Sequence, residues 1–344
     1  MTTDPPGPDP AGLNTALLHT FLESAAPDLF DGPLTARLIS GGRSNLTYGV
    51  SDGRRELVLR RPPLGHVLKT AHDMTREHRV ITALAGTDVP VPRTYLLCDD
   101  TEIIGAPFYI MDLVEGTPFR TAKELAPLGA IRVRAISERM VDTLATLHAV
   151  DPAAVGLGDF GRAEGFLERQ VRRWQTQLDA SRSRALAGAE ELHRLLVEHL
   201  PASSGSTIVH GDYRLDNVLI DERDHVAAVL DWEMATLGDP LTDVALLMVY
   251  QQLARMDGPV PVSTVSRAPG FLDDDALLSR YADANGRDLS GMAFHLGLAY
   301  FKLAVILEGI HFRFLQGQTV GEGFSAFGDA VEPLLHEGIS ALQR

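Results

Sequence analysis

The chain has 344 residues, 45% hydrophobic and 22% charged, which suits a folded protein with room for two lobes and excludes a disordered or fibrous one. A formal net charge of −15 argues against nonspecific nucleic-acid binding, which needs clustered Lys and Arg against phosphates, while leaving room for a local basic pocket. The single cysteine, Cys98, excludes an intramolecular disulfide framework and a cysteine-built zinc cage; with no signal-peptide pattern and no apolar run of about 18 residues, the expectation is a cytoplasmic monomer or homodimer with no membrane partner.

Residues 1–12, MTTDPPGPDPAG, are acidic and rich in Pro and Gly and read as a disordered terminus. Helical spacing of apolar positions predicts a helix from about Leu13 to Leu29. ARLISGGRSNLTYGVSDGRRELVLRRPP then alternates between apolar and turn residues, giving a strand, a Gly turn, a strand, an SDGRR hairpin and a third strand. DMTREHRVITAL sets Met74, Glu77, Ile81 and Leu84 on one helical face, so Glu77 lies in an apolar stripe. YLLCDD and APFYIMDLVEG predict two more strands, ending near Gly116 and Pro118, where the pattern turns helical. The expected lobes are therefore 13–115 and 116–344. ISERMVDTLATLHAV and FLERQVRRWQTQL predict helices, the second with an arginine face. The helical run breaks at STIVHGDYRLDNVLIDERDHVAAVLDWEMATLGDP, where the strands NVLID and VAAVLDW flank a tight polar turn, and helices resume at Leu241.

That break carries the chemistry. HGDYRLDN, residues 210–217, sets His210, Asp212, Asp216 and Asn217 on one turn, where two aspartates and an asparagine repel one another unless a cation or solvent intervenes, and Asp231 follows at the end of a strand. Mg²⁺ takes one or two protein oxygens plus phosphates and water, so Asn217 and Asp231 suffice for a nucleotide-bound metal but not for a structural cage. Asp212, on the same loop, is placed to accept a hydroxyl proton during attack on a γ-phosphate. His210 reads as a hydrogen-bonding organiser of the loop, and His148 as a satisfied helix histidine. Asp216 and Asp221 read as turn residues. Asp239, before Pro240, reads as a helix N-cap, and Asp243 stays open.

The phrases HGDYRLDNVLID and VLDWEMATLGDPLTDVALLM resemble the aminoglycoside phosphotransferase/choline kinase family. The narrower likeness is to bacterial phosphotransferases related to the kinase-like domain fused to acyl-CoA dehydrogenases, to which GLGDFG and FLERQVRRW add. The resemblance runs from about Ser40 and implies an α+β, two-lobed protein-kinase-like fold, with a small antiparallel-sheet N-lobe carrying one key helix and a larger, mostly helical C-lobe. It also implies ATP and Mg²⁺ as cofactors and a small-molecule hydroxyl as acceptor.

Such a kinase needs a phosphate cover, a cation, a carboxylate to orient the cation and an adenine hinge. Gly41, Gly42, Ser44 and Asn45 form a turn that lets backbone N–H groups approach phosphate, although a plain hairpin turn explains it equally. The chain has three lysines, Lys69, Lys123 and Lys302, and none lies on the third strand, which reads Val58-Leu59-Arg60. Alternation puts Val58 beside adenine and Arg60 toward the phosphates, with Glu77 as its partner; Lys69 is the alternative. Met111, Asp112 and Val114 resemble the family's hinge. The acceptor reading favoured by the narrower likeness is the hydroxyl of a hydroxyacyl-CoA or related hydroxy acid. The alternatives are an aminoglycoside, for which DDDALLSRYADANGRD supplies carboxylates, and a non-catalytic nucleotide-binding pseudokinase.

Overall fold

The computed structural model describes residues 9–40, 45–64, 73–201, 205–255, 263–318 and 324–344. Two units are distinguished, one from Met1–Gly116 with Ala227–Glu233, the other from Thr117–Val226 with Met234–Arg344.

In the first unit, α1 (Thr15–Ala25) opens where the Asn14 side chain accepts from Leu17 N–H at 2.9 Å. It is shorter than the helix expected from Leu13 to Leu29. Then come β1 (Thr35–Ser40), β2 (Leu46–Ser51), β3 (Glu56–Arg61), α2 (Met74–Leu84), β4 (Thr94–Cys98), α3 (Thr101–Ile104) and β5 (Phe108–Asp112). The strands form a five-stranded antiparallel sheet in the order β1-β2-β3-β5-β4. The β2–β3 turn is closed by Asp52, whose carboxylate accepts from Arg54 and Arg55 N–H, both at 2.8 Å. Leu57 and Leu59 face a core shared with Leu18, Leu22, Tyr48, Val50, Phe108 and Ile110. Each such fully buried side chain stabilises the fold by about 1.5–3 kcal/mol. Val58, one residue out of step, pairs across the sheet with Met111. The segment 227–233 joins this unit through Val229 N–H, which donates to Pro90 O at 2.8 Å.

Residues 1–8 of the expected disordered terminus lie outside the described residues, and residues 9–12 are tied down. Asp9 accepts from Thr15 N–H at 3.1 Å and from its hydroxyl at 2.7 Å, and the Arg61 guanidinium donates to Gly12 O.

The second unit follows with α4 (Ala122–Leu125), α5 (Gly129–Ala149), α6 (Phe166–Ser181), α7 (Ala189–Glu198), β6 (Thr207–Val209) and β7 (Val218–Ile220). After β8 (Val226–Val229), which leads into the 227–233 segment, come β9 (Thr236–Gly238), α8 (Leu241–Arg255), α9 (Asp274–Asn285), α10 (Met292–Leu315) and α11 (Val331–Leu342). The three-residue strands β6 and β9 pair antiparallel, Thr207 opposite Gly238 and Val209 opposite Thr236; neither was legible as a strand. The Asp239 carboxylate accepts from Leu241 N–H at 3.1 Å, where α8 begins. Helix α10 is long and apolar enough by length and composition to span a membrane, but 72% of its apolar window is buried within the fold, as a core helix requires.

Candidate functional site

In the first unit, the sheet face opposite the α1 core gathers four of the residues singled out by sequence. Arg60 Nε lies 3.2 Å from Glu77 Oε2, and the same guanidinium is ion-paired with Asp231. Glu77 is 1% exposed, on the buried face of α2 with Met74, Val80, Ile81 and Leu84. Asn45 Nδ2 donates to Glu77 Oε2 at 3.4 Å and to Glu233 Oε2 at 3.3 Å, and the Trp232 backbone N–H donates to Glu77. Burial pushes Glu77 above the usual carboxylate range, and Arg60 pulls it part of the way back. Burial also lowers Arg60, but Glu77, Tyr109 and Asp231 outweigh it and leave the guanidinium raised, so its charge is held firmly. Asp231 adopts φ 64°, a left-handed conformation that aspartate tolerates better than branched residues.

Val58 and Met111 are buried as neighbours on the same sheet face. Asp112 ends β5; its N–H donates to Arg93 O at 2.9 Å and its carboxylate accepts from Tyr95 OH at 2.6 Å. Val114 follows in the next loop, half-buried. Gly41, Gly42 and Ser44, with the alternative cation Lys69, lie outside the described residues.

In the second unit, the loop after β6 is fastened from below. Asp243 of α8, 1% exposed, accepts from His210 N–H at 2.7 Å and Gly211 N–H at 2.8 Å, with His148 Nε2 at 3.2 Å. Burial raises Asp243, but His148, His210 and the backbone donor outweigh it and the carboxyl is lowered. Burial lowers His148, whose Nδ1 is 2.7 Å from Tyr281 OH. Gly211 has φ 84°, and a Cβ there would sit 2.8 Å from Met234 O, so glycine is required. His210, fully buried, accepts from Asp212 N–H on Nδ1 at 3.2 Å, the organising role read from the sequence.

The Asp212 carboxylate is held at both oxygens. Tyr250 OH donates to Oδ1 at 3.0 Å, while Asn217 Nδ2 and Arg214 Nε donate to Oδ2 at 3.1 and 3.3 Å. Asn217 Nδ2 also donates to Asp212 O at 2.9 Å. Two acceptors on one nitrogen fix which end of the amide is which. The Asn217 carbonyl oxygen is then turned away from them and available as a hard donor. Asp231, in the first unit, offers a carboxylate, also an oxygen donor of the kind Mg²⁺ takes along with phosphate and water. Among the described residues no group of three or more His, Cys, Asp or Glu forms a self-sufficient metal cage.

Asp216 and Asp221, read from the sequence as turn residues, are held by local bonds. Asp221 accepts from Arg223 and His225 N–H, both at 2.8 Å, and Asp216 pairs with Arg214 at 3.2 Å. Sequence reading left Asp243 open and passed over Tyr250 and Arg214. Asp243 and Tyr250 stand about two turns apart on one face of α8, a spacing that marks a shared neighbour once the helix is known.

A profile described as "Phosphotransferase enzyme family" matches residues 35–295. Acyl-CoA dehydrogenase family member 11 of Gallus gallus is 34% identical over 320 residues, covering 91% of this chain but 41% of the relative. The chain thus spans about two fifths of that longer protein. A solved structure from Ralstonia eutropha JMP134, named provisionally as an aminoglycoside phosphotransferase, is 32% identical with TM-score 0.84, covering 96% of this chain and 98% of its own. A thermostable mutant of aminoglycoside phosphotransferase APH(4)-Ia, in ternary complex with AMP-PNP and hygromycin B, shares the kinase-like fold at TM-score 0.61 and 16% identity, over 94% of this chain and 98% of its own.

Proposed function

Since the chain belongs to the phosphotransferase enzyme family, we propose that it is an ATP- and Mg²⁺-dependent small-molecule kinase that phosphorylates the hydroxyl of a hydroxyacyl-CoA or related hydroxy acid. The observation that carries the chemistry is the Asp212 carboxylate. Asn217 and Arg214 both donate to Oδ2, while among the described residues Oδ1 accepts from Tyr250 alone, which leaves one of its two lone pairs for a further proton. Oδ1 is thus the atom that receives the acceptor's proton as its oxygen attacks the γ-phosphate. Arg60, oriented by Glu77, binds nucleotide phosphates; Asn45, with the preceding Gly41, Gly42 and Ser44, covers them; Val58 and Met111 contact adenine, and Asp112 and Val114 offer backbone bonds. Asn217 and Asp231 hold the metal, which when bound neutralises charge developing on the phosphoryl oxygens.

The acyl acceptor is supported by the relatives at 33–36% identity, several of which carry acyl-CoA dehydrogenase names. An aminoglycoside acceptor finds less support. In the acidic segment around α9, Asp273 caps the helix by accepting from Ala276 N–H at 2.9 Å, and Asp274 pairs with Arg255 at 3.3 Å. These carboxylates are engaged in structure. The test is ADP release from Mg-ATP with hydroxyacyl-CoAs, free hydroxy acids, choline and aminoglycosides. Asp212→Asn should lower the rate of the productive acceptor by roughly 10²–10⁴-fold. A wild-type rate in that variant would remove Asp212 as the base.

A further inference from the structure

Helix α10 carries one lysine in an otherwise apolar stretch, and its position is unusual. Lys302 Nζ donates to Gly211 O at 2.9 Å, on the residue before Asp212. It also lies 5.7 Å from the ring centre of Trp174, a buried residue of α6. The neighbouring Arg173 places its guanidinium carbon 5.5 Å from the same ring. Neither cation forms an ion pair among the described residues, although Arg172 beside them pairs with Glu168 at 4.0 Å. The surface of α6 around Arg169, Arg172, Arg173 and Thr176 is open.

We infer that Lys302, with Arg173 beside it, binds an anionic group of the acceptor, a carboxylate or a phosphate, while the acceptor's hydroxyl meets Asp212. The inference rests on the phosphotransferase reading and deepens it to a substrate charge. An ammonium has three donors, and the Gly211 carbonyl uses one. Among the described residues its direct contacts are that carbonyl and the ring face, which compensate a half-buried cation poorly for lost water. Burial lowers Lys302; Asp212 and Asp243 raise it, and Arg173 lowers it again. An anion shared by the two cations would turn that repulsion into attraction. Were Lys302 needed only to pack α10, a Met or Leu would do so without the cost. Polycationic acceptors are repelled by the same pair.

The experiment uses medium-chain hydroxy acids, their neutral methyl esters and their CoA thioesters, with the full chain and the variants Lys302→Met, Lys302→Arg and Arg173→Met. Binding is read by fluorescence, with Trp174→Phe identifying the signal of Trp174; turnover is read as ADP release. The expected result is saturable binding of acid or thioester over ester, with the preference narrowed roughly tenfold or more in Lys302→Met and kept in Lys302→Arg. Preference for the free acid marks a carboxylate ligand. Preference for the thioester, lost in Arg173→Met, marks phosphate. Turnover without charge preference, or a preference untouched by Lys302→Met, overturns the anion site and leaves the kinase reading standing. Charge-selective binding with no ADP release from any member overturns the kinase reading for these acceptors and leaves the site.

Discussion

Removing Arg60 while keeping Glu77 tests the charge cluster of the first unit at the cation both carboxylates share. In Arg60→Met, two carboxylates lose their cation, but they do not suffer alike. The Asp231 side chain is 28% exposed and can take up water, whereas that of Glu77 is 1% exposed and cannot. Breaking a buried pair from one side costs about 3–5 kcal/mol, a large part of the roughly 5–15 kcal/mol that holds a folded chain together. Replacing both residues, in Arg60→Met with Glu77→Met, removes the stranded charge and should recover most of the loss, giving a coupling of about 3 kcal/mol. The pH dependence follows from the direction of the Glu77 shift. Burial already raises its folded value above the ordinary 4.5, and without Arg60 the value rises further. The folded state then holds the proton more tightly than the unfolded chain, so stability is complete below about 4.5 and is lost as pH climbs through the folded value. Urea unfolding of the wild type, both single variants and the double variant at about pH 5 and about pH 7.5 measures this. The deficit of Arg60→Met should be small in acid and full near neutrality. Equal deficits at the two pH values, or a double variant no more stable than Arg60→Met, would refute the reasoning.

Tyr250→Phe deletes the 3.0 Å bond to Asp212 Oδ1 while keeping the ring under the Arg214 guanidinium. It should lower kcat by about tenfold with KM for ATP retained, as expected for one charge-assisted hydrogen bond; equal changes in both constants would point to a general loss of structure. His148 is buried with its folded value below the ordinary 6.5, so the unfolded chain takes up that proton first. Stability is therefore present above about 6.5 and lost as pH falls below it, and His148→Gln should flatten this part of the denaturation–pH profile. A slope equal to the wild type would place the acid sensitivity elsewhere.

What the sequence made legible divides along range in the chain. Glu77 stood out because a carboxylate in the Met74, Ile81, Leu84 stripe has no local justification, and the structure supplies Arg60 as the partner. Alternation on β3 likewise separated Val58 and Arg60 from Leu57 and Leu59, since a pleated strand has only two faces. The hydrogen bonds that fasten Asp212 were not legible. Tyr250 donates to its carboxylate, and Asp243 accepts from the two amides before it; both stand on a helix whose buried faces are mostly apolar, and nothing in its own pattern says which neighbour they meet. Asn45 was read as a phosphate cover from its place in a Gly-rich turn, yet its amide bridges Glu77 and Glu233, a contact between residues far apart in the chain. Strands β6 and β9, three residues each, went unseen because each runs directly into the polar or Gly-Asp-Pro turn beside it and finds its partner about thirty residues away.

The two carboxylates assigned to chemistry are restrained by different physics, and the difference accounts for the arginine. Asp212 follows backbone amides that Asp243 holds from within the core, and neutral or charged donors saturate one of its oxygens. Asp231 relies on a left-handed backbone, a conformation that costs of order 1–3 kcal/mol in a non-glycine residue, and on the charge of Arg60. Asp224, the other non-glycine residue with positive φ among those described, is clasped by the Arg132 fork at 2.7–3.1 Å. In both places a planar guanidinium meets a strained aspartate. A lysine on β3 would bring one compact charge, whereas the fork of Arg60 faces Glu77 through Nε and Asp231 through a terminal nitrogen at once. Under the phosphotransferase reading, nucleotide phosphates compete with Asp231 for that terminal nitrogen and leave the Nε contact with Glu77 in place. The carboxylate released in this exchange is the one proposed for the metal, so under that reading phosphate and metal binding would reinforce one another through Arg60.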